Sequence, residues 1–552
     1  MSAPMRQRDT EVRRRTQRGS ISGICPACLS VSMFLCVALV SGARGDDISI
    51  IPRPVQMTVK SGTFTLTADT RIVTDDTELG STLTDMLDPA TGFNLAIDAS
   101  DRSGNVIRLV RSLKGSLPAE GYTLESTADG VTITASDRAG LFYGMQTLRQ
   151  LLPTDIFSRF AIQRAWTVPC ASIVDYPRYR WRGMMLDCSR HFFPKEYIEK
   201  FIDLLAIHKM NSFHWHLTDD QGWRIQINGY PNLTVIGAWR KQTVLGHEGD
   251  TPEKFDGIAY GGFYSQDDIK EVVKFAAERF VNVVPEIEMP GHSAAAIASY
   301  PELGCVGAPK EVWCDWGVSN GVLNPSEHTI QFYQGVLKEV LKMFPSIYIH
   351  LGGDEVPVEV WKKDPRVQAR MAELHLKDEA AMQHYLLGRM ATFLESHGRR
   401  LVGWDEILSP ELPPEAVVMS WHGVKGAALA EASGHDAVLA PESYTYFDHY
   451  QSRDHTFEPM AIGGYLPLRK VFNFEPGDNP RLLGAQGQIW TEYIPLPQNV
   501  QYMAFPRECA LAEVVWSPKA GKNLDDFNRR LVTHLKRLDE MDVHYRVPKD
   551  SD

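Results

Sequence analysis

The fold is decided by the stretch Ser346-Ile-Tyr-Ile-His-Leu-Gly-Gly-Asp-Glu355. A short run of β-forming residues that ends at glycine predicts a buried strand of a parallel sheet. Asp354 and Glu355 follow the carboxyl end of that strand, which is where barrels of alternating strands and helices build their active sites. Because neighbouring residues of a strand point to opposite faces, both carboxylates share a cavity only if the chain curls at Gly352 and Gly353. Taken alone, Gly-Gly-Asp-Glu is also compatible with an exposed turn.

The same succession of buried strand, polar loop and amphipathic helix recurs through the second part of the chain. We predict eight strands, at 183–189, 212–218, 281–288, 346–351, 401–404, 416–421, 436–440 and 483–490. Helices are predicted between several of them, at 195–208, 266–279, 329–343 and 380–397. This repetition predicts an α/β fold in which residues 173–552 form a (β/α)8 TIM barrel with long loops.

Residues 46–172 carry shorter strand patterns separated by turns, which predicts a small α+β domain ahead of the barrel. Two alternating runs flank Ala128-Asp-Gly130, and Asp-Gly between such runs is a strong signal of a β-hairpin. A helix is predicted next, because Leu141, Met145 and Leu148 recur at helical spacing. We find no catalytic cluster in this segment and expect it to support the barrel by packing.

Length and composition exclude some classes of protein. The chain has 552 residues, of which 43% are hydrophobic and 23% charged, as in globular proteins with a large core. This length predicts two domains. The net charge is −12 and no long basic stripe follows the first 45 residues, so we do not expect nucleic acid as a partner.

The first 45 residues differ from the rest of the chain. Arginines are followed by the apolar run 31–40 and then by small residues such as Ala43 and Gly45. This order predicts a secretory signal peptide at residues 1–45, cleaved near Ala43 or Gly45. The run is shorter than the ~20 residues of a membrane span, and an uncleaved anchor is the alternative. We expect export to the periplasm or the medium, or to a lysosome-like compartment in a eukaryote, with no membrane contact beyond this segment.

Five cysteines follow the predicted leader, namely Cys170, Cys188, Cys305, Cys314 and Cys509. Their number is odd, so at least one is unpaired. Cys305 and Cys314 are close in a loop, and a disulfide between them is compatible with an oxidising compartment. No Cys-x-x-Cys pair occurs after the leader, which argues against a structural zinc site.

Polar and aromatic side chains follow every predicted strand of the barrel. In strand order they include Asp187 and Arg190; His214, His216, Asp219 and Trp223; Glu286, Glu288 and His292; Asp354 and Glu355; Trp404, Asp405 and Glu406; Trp421 and His422; Tyr446 and Asp448; and Trp490 and Glu492. They predict one funnel suited to a saccharide, because aromatic faces stack on sugar rings and charged groups bind hydroxyls. Hydrolysis of a glycosidic bond also requires a carboxylic acid. For any single tryptophan, core packing is the alternative.

Five segments of the chain carry a family resemblance. They are Arg182-Gly-Met-Met-Leu-Asp-Cys-Ser-Arg-His-Phe-Phe193, His214-Trp-His-Leu-Thr-Asp-Asp-Gln-Gly-Trp-Arg224, Val284-Pro-Glu-Ile-Glu-Met-Pro-Gly-His292, His350-Leu-Gly-Gly-Asp-Glu355 and Trp490-Thr-Glu492. The chain resembles glycoside hydrolase family 20, the β-N-acetylhexosaminidases, over nearly its whole length after the leader. The resemblance implies exo-acting removal of terminal β-linked GlcNAc or GalNAc from oligosaccharides or glycoconjugates, chitin fragments among them, without cofactor or metal.

The resemblance also implies a mechanism and its residues. Glu355 would be the general acid, and the 2-acetamido oxygen of the substrate would attack to give an oxazolinium ion, with net retention. Asp354 would hold the acetamido N–H, and Asp219 with His292 would raise the pKa of Glu355. The implied substrate contacts are Tyr446 on the acetamido oxygen, Trp404, Trp421 and Trp490 around the acetyl methyl, Arg190 on O3 and O4, and Asp448 and Glu492 on O4 and O6.

Some alternatives stay open at this point. Arg190 could be only a buried ion-pair partner, His292 only a loop histidine with satisfied hydrogen bonds, and Glu288 stands where the family often has Asp. A metal-dependent amidohydrolase is a rival, since His214 and His216 form a His-x-His at a strand end. Against it, the pair lies on the second strand and we find no bridging lysine. The other rival is a saccharide-binding barrel without catalysis, although its catalytic residue types are all present.

Overall fold

The structure is a computed structural model that describes residues 48–100, 104–112 and 117–549. The predicted signal peptide of residues 1–45 lies outside the described residues. Two sheets organise the rest, a seven-stranded sheet and a closed eight-stranded barrel. No helix in the described ranges is both long and apolar enough to span a membrane.

The first domain is a mixed sheet covered by two helices. Its elements are β1 (Gln56–Leu66), β2 (Arg71–Val73), α1 (Thr77–Thr91), β3 (Ala96–Asp98), β4 (Val106–Arg111), β5 (Tyr122–Thr127), β6 (Gly130–Ala135), α2 (Arg138–Leu151) and β7 (Trp166–Asp175). The predicted hairpin is confirmed, because β5 and β6 pair antiparallel with Thr127 opposite Gly130. The predicted helix is α2, which begins where the Asp137 carboxylate accepts the N–H of Gly140 at 2.7 Å. The last strand, β7, extends past residue 172, where we placed the end of this domain.

The second part of the chain alternates strands and helices. The strands are β8 (Trp181–Asp187), β9 (Ser212–His216), β10 (Thr218–Asp219), β11 (Gly222–Trp223), β12 (Trp239–Arg240), β13 (Val244–Leu245), β14 (Lys254–Phe255), β15 (Tyr260–Gly261), β16 (Asn282–Glu286), β17 (Tyr348–His350), β18 (Arg400–Trp404), β19 (Val417–Ser420), β20 (Asp436–Leu439) and β21 (Leu482–Ile489). The helices are α3 (Lys195–Ile207), α4 (Asn232–Val235), α5 (Gln266–Ala277), α6 (Ala294–Ser299), α7 (Glu327–Met343), α8 (Val358–Lys363), α9 (Pro365–Glu373), α10 (Glu379–Glu395), α11 (Val424–Ala432), α12 (Glu442–Thr445), α13 (Leu468–Phe472), α14 (Pro497–Ala504), α15 (Arg507–Trp516) and α16 (Leu524–Glu540).

Eight of these strands close into a barrel in the order β8, β9, β16, β17, β18, β19, β20 and β21. Every pairing is parallel, and the eight strands are those predicted from the sequence. The (β/α)8 barrel with a smaller domain before it is therefore confirmed. The register places Glu286 beside His216 on one side and His350 on the other, so their side chains meet inside the barrel.

A buried polar network joins the first domain to the barrel. Nζ of Lys209 lies 2.7 Å from Oδ2 of Asp175, and both side chains are fully buried. The hydroxyl of Tyr122 donates to the same oxygen at 2.6 Å, and Nε1 of Trp516 donates to Oδ1 at 2.9 Å. Asp175 thus ends β7 and is bound from both sides, by Lys209 and Trp516 of the barrel and by Tyr122 and the backbone N–H of Val55 in the first domain.

The five cysteines in the described residues are free thiols. Cys305 is buried and Cys314 half-buried, so the disulfide suggested by their spacing is not formed in this structure. Burial raises the pKa of the Cys305 thiol to about 12, which keeps it protonated.

Candidate active site

The turn after β17 has the curl that the two adjacent carboxylates require. Gly352, Gly353 and Glu355 all have positive φ, of 64°, 97° and 47°. The backbone N–H of Trp404 donates to the carbonyl oxygen of Gly352 at 3.0 Å and fixes the turn against the next strand. As a result Asp354 is buried, whereas the side chain of Glu355 is 44% exposed at the mouth of the barrel.

His292 joins both carboxylates to a third one. Its Nε2 lies 3.6 Å from Oδ2 of Asp354 and 3.4 Å from Oε2 of Glu355. On the other side of the ring, Nδ1 lies 3.1 Å from Oδ1 of Asp219. Burial alone would lower the pKa of His292, but Asp219 and the neighbouring carboxylates raise it well above its usual value. The ring is therefore an imidazolium held between anionic groups, not a loop histidine with ordinary partners.

The two adjacent carboxyl groups differ in acidity. The hydrogen bond from protonated His292 lowers the pKa of Glu355 in the free protein. This result corrects our expectation from the sequence that His292 and Asp219 would raise it. Burial, with added repulsion from Glu406, raises the pKa of Asp354 to about 8 although His292 opposes this rise. The exposure of the two side chains contributes to this difference in pKa, because Glu355 is partly exposed to solvent whereas Asp354 is largely buried.

Arg190 is the centre of a buried cluster of charges. Its Nη2 lies 2.9 Å from Oδ2 of Asp219, and its Nη1 lies 3.3 Å from Oδ2 of Asp187 and 3.8 Å from Oε1 of Glu492. The guanidinium carbon also lies 5.1 Å from the ring centroid of Trp490. Arg190 is thus buried and ion-paired, and it links Asp219 to the funnel wall.

Four aromatic rings form one wall of the funnel. Trp404 and Trp490 lie with ring centroids 5.8 Å apart, and Tyr446 stacks on Trp421 at 6.3 Å with planes 20° apart. Nε1 of Trp421 donates to Oε2 of Glu406 at 3.0 Å. Trp404 is nearly fully buried, whereas Trp421 and Trp490 are half-buried and present their rings to the funnel.

Two further predicted residues lie at the ends of the seventh and eighth barrel strands. Asp448 is 3% exposed, and its Oδ1 has no hydrogen-bond partner among the described residues. Burial, with repulsion from Glu492, raises its pKa well above the usual range. Burial also raises the pKa of Glu492, which Arg190 partly offsets. The unpaired Oδ1 of Asp448 is ready to bind a hydroxyl group of a ligand.

Sequence reasoning missed the role of Glu286, which lies inside the barrel among three histidines. Its carboxylate contacts Nδ1 of His216, Nε2 of His214 at 3.0 Å and Nδ1 of His350 at 2.6 Å. Nε2 of His216 lies 3.0 Å from Oδ2 of Asp219. Burial would lower the pKa of His216, but Glu286 and Asp219 raise it to about 10. The period of two on β9 predicts that both histidines lie on one face, but their pairing with Glu286 depends on the barrel register.

These contacts bear on the alternative that the protein is a metal-dependent amidohydrolase. His214, Glu286 and His350 are close enough together to hold a metal ion. However, both ring nitrogens of His216 lie against carboxylates, and Nδ1 of His214 accepts a hydrogen bond from Gln486 at 2.9 Å. In this structure, the two histidines of the His-x-His pair therefore form hydrogen bonds inside the barrel.

Glu406 was placed in the funnel by the sequence but was given no role there. It directly follows Trp404 and Asp405 after the fifth barrel strand, which is the signal that identified the other residues. Burial raises its pKa to about 7, although the N–H of Trp421 opposes this rise.

A closed barrel whose strand ends bring together adjacent carboxylates, an imidazolium, an arginine and an aromatic wall defines a glycoside hydrolase. Comparison with known families narrows the class. A family model described as "Glycosyl hydrolase family 20, catalytic domain" matches residues 179–519, and one described as "Glycosyl hydrolase family 20, domain 2" matches residues 47–176. The chain belongs to glycosyl hydrolase family 20.

Similar proteins support this assignment. A β-hexosaminidase of Porphyromonas gingivalis is 41% identical over 543 residues, which cover 95% of this chain and 68% of that protein. The solved structure of the family 20 β-N-acetylhexosaminidase from Streptomyces coelicolor A3(2) matches with a TM-score of 0.79 and 32% identity, covering 92% of this chain and 99% of that one. The exo-β-N-acetylglucosaminidase of Vibrio harveyi, solved in complex with N-acetylglucosamine, matches with a TM-score of 0.80 and 35% identity, covering 90% and 78%.

Proposed function

We propose that this protein is an exo-β-N-acetylhexosaminidase that removes terminal, non-reducing β-linked N-acetylhexosamine with retention of configuration. The single observation that carries the proposal is the contact of His292 with both adjacent carboxylates, at 3.6 Å to Asp354 and 3.4 Å to Glu355. It supports two different tasks for two neighbouring acids, one exposed to the leaving group and one enclosed beside the aromatic wall.

Glu355 is assigned as the general acid and base. It donates a proton to the glycosidic oxygen while the acetamido oxygen of the substrate forms a bond to C1 and the C1–O bond breaks. The resulting carboxylate then takes a proton from the water that attacks C1 and reopens the oxazolinium ring, which returns the acid to its starting state. A saccharide that covers the exposed carboxyl raises its pKa by desolvation, and this supplies the protonated form that the free protein disfavours.

Asp354 is assigned to the acetamido group. As an anion it accepts the hydrogen bond of the acetamido N–H and stabilises the positive charge of the oxazolinium ion. This role requires its ionisation, which the imidazolium of His292 favours at 3.6 Å. Because the side chain is largely buried, the charge interaction is weakly screened and strong.

The remaining predicted residues are assigned to substrate binding. Tyr446 and the three tryptophans form a wall that suits an acetyl methyl group and the apolar face of a sugar ring. Asp448 and Glu492 offer carboxyl oxygens to O4 and O6, and Arg190 beside them offers guanidinium N–H groups to O3 and O4.

We also propose export of the protein and action on chitin-derived or other N-acetylhexosamine-bearing saccharides outside the cytoplasm. The support is the arginine-rich, apolar and small-residue order of residues 1–45. Cell fractionation with N-terminal sequencing of the mature chain tests export, and finding the intact chain in the cytoplasm would contradict it.

Hydrolysis assays test the proposed activity. Aryl β-N-acetylglucosaminide should be cleaved and the matching aryl β-glucoside should not, with inhibition by a thiazoline mimic of the oxazolinium ion. Tight binding of the mimic without cleavage would favour the saccharide-binding barrel. Loss of activity on dialysis against a chelator would favour the metal-dependent amidohydrolase. Equal cleavage of both substrates would remove the roles of Asp354 and Tyr446.

A further inference from the structure

Glu288 is a buried carboxyl group that the mechanism above does not use. Its side chain follows the end of β16, and the residue is 2% exposed. Its backbone N–H donates to Oγ1 of Thr218 at 2.9 Å, which anchors the residue. Neither oxygen of its carboxyl group has a hydrogen-bond partner among the described residues.

The carboxyl group of Glu288 lies against the turn that carries Asp354. A Cβ atom added to Gly352 would fall 1.6 Å from Oε2 of Glu288, so the carboxyl group occupies the space that glycine leaves open. Oδ1 of Asp354 and the hydroxyl oxygen of Tyr333, on α7, are also buried without hydrogen-bond partners among the described residues. Glu288 thus lies close enough to Asp354 and Tyr333 for its charge to act on both.

The charges around Glu288 decide whether Glu288 or Asp354 keeps its proton. Asp354, Glu286 and Asp219 repel a negative charge there, whereas His292 attracts it. The ring of His216, whose pKa is raised, also lies within 4.8 Å of the Glu288 carboxyl group and attracts a negative charge, while contacting Glu286 and Asp219 itself. Burial, with these repulsions, raises the pKa of Glu288 well above its usual value. Asp354 is partly open to the funnel, and its Oδ2 lies 3.6 Å from Nε2 of His292. Asp354 is therefore the member of the pair that ionises first.

A neutral carboxylic acid has an O–H donor, whereas a carboxylate has none. Two carboxylates facing each other in a buried region would both lack donors, which is costly. We propose that Glu288 is a positioning residue that stays protonated and donates its O–H to Oδ1 of Asp354, thereby holding Asp354 as an oriented anion. This inference rests on the proposed function, because it assigns Asp354 to the acetamido group. Tyr333 then donates to the remaining oxygen of Glu288.

Two variants test the proposal through the pH profile of kcat. Glu288→Gln keeps a neutral N–H donor, so we expect activity within about threefold of the wild type and an unmoved acidic limb. Glu288→Leu removes the donor, so Asp354 becomes harder to ionise. We expect kcat to fall roughly 10- to 100-fold, with the acidic limb moved to higher pH. A limb that moves to lower pH in either variant would mean that Glu288 is an anion, and would overturn the proposal.

A matched control comes from Glu508 on α15. This residue is fully buried, and its carboxyl oxygens have no hydrogen-bond partner among the described residues. Burial raises its pKa to about 8. Because Glu508 lies outside the funnel, Glu508→Leu should leave the pH profile unchanged. A shift as large as that of Glu288→Leu would show that any buried carboxyl group has the effect, and would refute a specific role for Glu288.

An infrared measurement decides the question without activity, including the case in which Glu288→Leu does not fold. The difference spectrum between the wild type and Glu288→Gln at neutral pH should contain the C=O stretch of a protonated carboxylic acid. Carboxylate bands alone would overturn the proposal. If the wild type fails to cleave the acetamido sugar, the proposed function fails. If it cleaves the sugar but the spectrum contains only carboxylate bands, the role of Glu288 alone fails.

Discussion

Replacing Glu355 by Gln removes the proposed proton donor while keeping its size. The side chain is 44% exposed, and its described charged contact is Nε2 of His292 at 3.4 Å. Gln tolerates the left-handed φ of 47° about as well as Glu. We therefore expect the free energy of unfolding to change by no more than about 0.5 kcal/mol. The expected effect of this variant is therefore on the catalytic rate and not on stability.

The expected loss depends on the leaving group. A positioned general acid contributes about 100- to 10,000-fold, or roughly 3–5 kcal/mol of activation free energy. This contribution is needed only where the departing oxygen is basic and must be protonated. For a strongly acidic phenol the bond breaks without the proton, so kcat/KM, which reports formation of the oxazolinium ion, should change less than about tenfold.

The assay is kcat/KM for a series of aryl β-N-acetylglucosaminides whose phenols span a wide range of acidity. A plot of log kcat/KM against leaving-group pKa should be steeper for Glu355→Gln than for the wild type. Glu406→Gln is the matched control, because Glu406 lies in the funnel but has no proposed contact with the leaving group, and should shift all substrates by one factor. Parallel lines for wild type and Glu355→Gln would refute the assignment of Glu355 as the acid.

Three other substitutions, and one control, have defined outcomes. Asp354→Asn should lower kcat/KM about 100- to 1,000-fold for every leaving group in the same series and weaken inhibition by the thiazoline; a leaving-group-dependent loss would contradict its role. His292→Asn removes the cation beside Glu355, so the pKa of Glu355 should rise. The alkaline limb of the kcat/KM profile, where that acid loses its proton, should therefore move to higher pH. An unmoved limb would contradict the proposed effect of His292 on Glu355. Lys209→Met leaves the carboxylate of Asp175 buried without its cation and should lower the free energy of unfolding, measured by urea denaturation, by about 3–5 kcal/mol. The control Lys241→Met removes an exposed ion pair and should change the urea midpoint little. Equal effects of the two variants would refute the argument from burial.

Much of the barrel was predictable because its signals are local. Each of the eight strands is a short buried run, and the polar residues of the site follow directly after it in sequence. The hairpin of β5 and β6 was predictable for the same reason, although its two turn residues are Ala128 and Asp129, and Gly130 already pairs with Thr127. The curl at Gly352 and Gly353 followed from requiring both carboxylates in one cavity, and their positive φ angles agree with it.

The acidity of the site was not predictable, because it depends on distances between separate strands. Glu355 and His292 lie on neighbouring barrel segments, and their separation of 3.4 Å, with the proton held on His292 by Asp219, lowers the pKa that we expected to be raised. The cluster around Glu286 depends likewise on barrel register. β7 ends at Asp175, a few residues after the domain boundary that we predict at residue 172.

The polar network around Asp175 also constrains how the protein can be divided. A chain that began at residue 176 would keep Lys209 and Trp516 but lose both Asp175 and Tyr122, so the ammonium group of Lys209 would lose its anionic partner and the ring of Trp516 would lose its hydrogen-bond acceptor. Arg182, fully buried in the barrel wall, would likewise lose Glu120, which it contacts at 2.8 Å. The small domain is therefore an integral part of the catalytic body, and the two should melt together in one calorimetric transition.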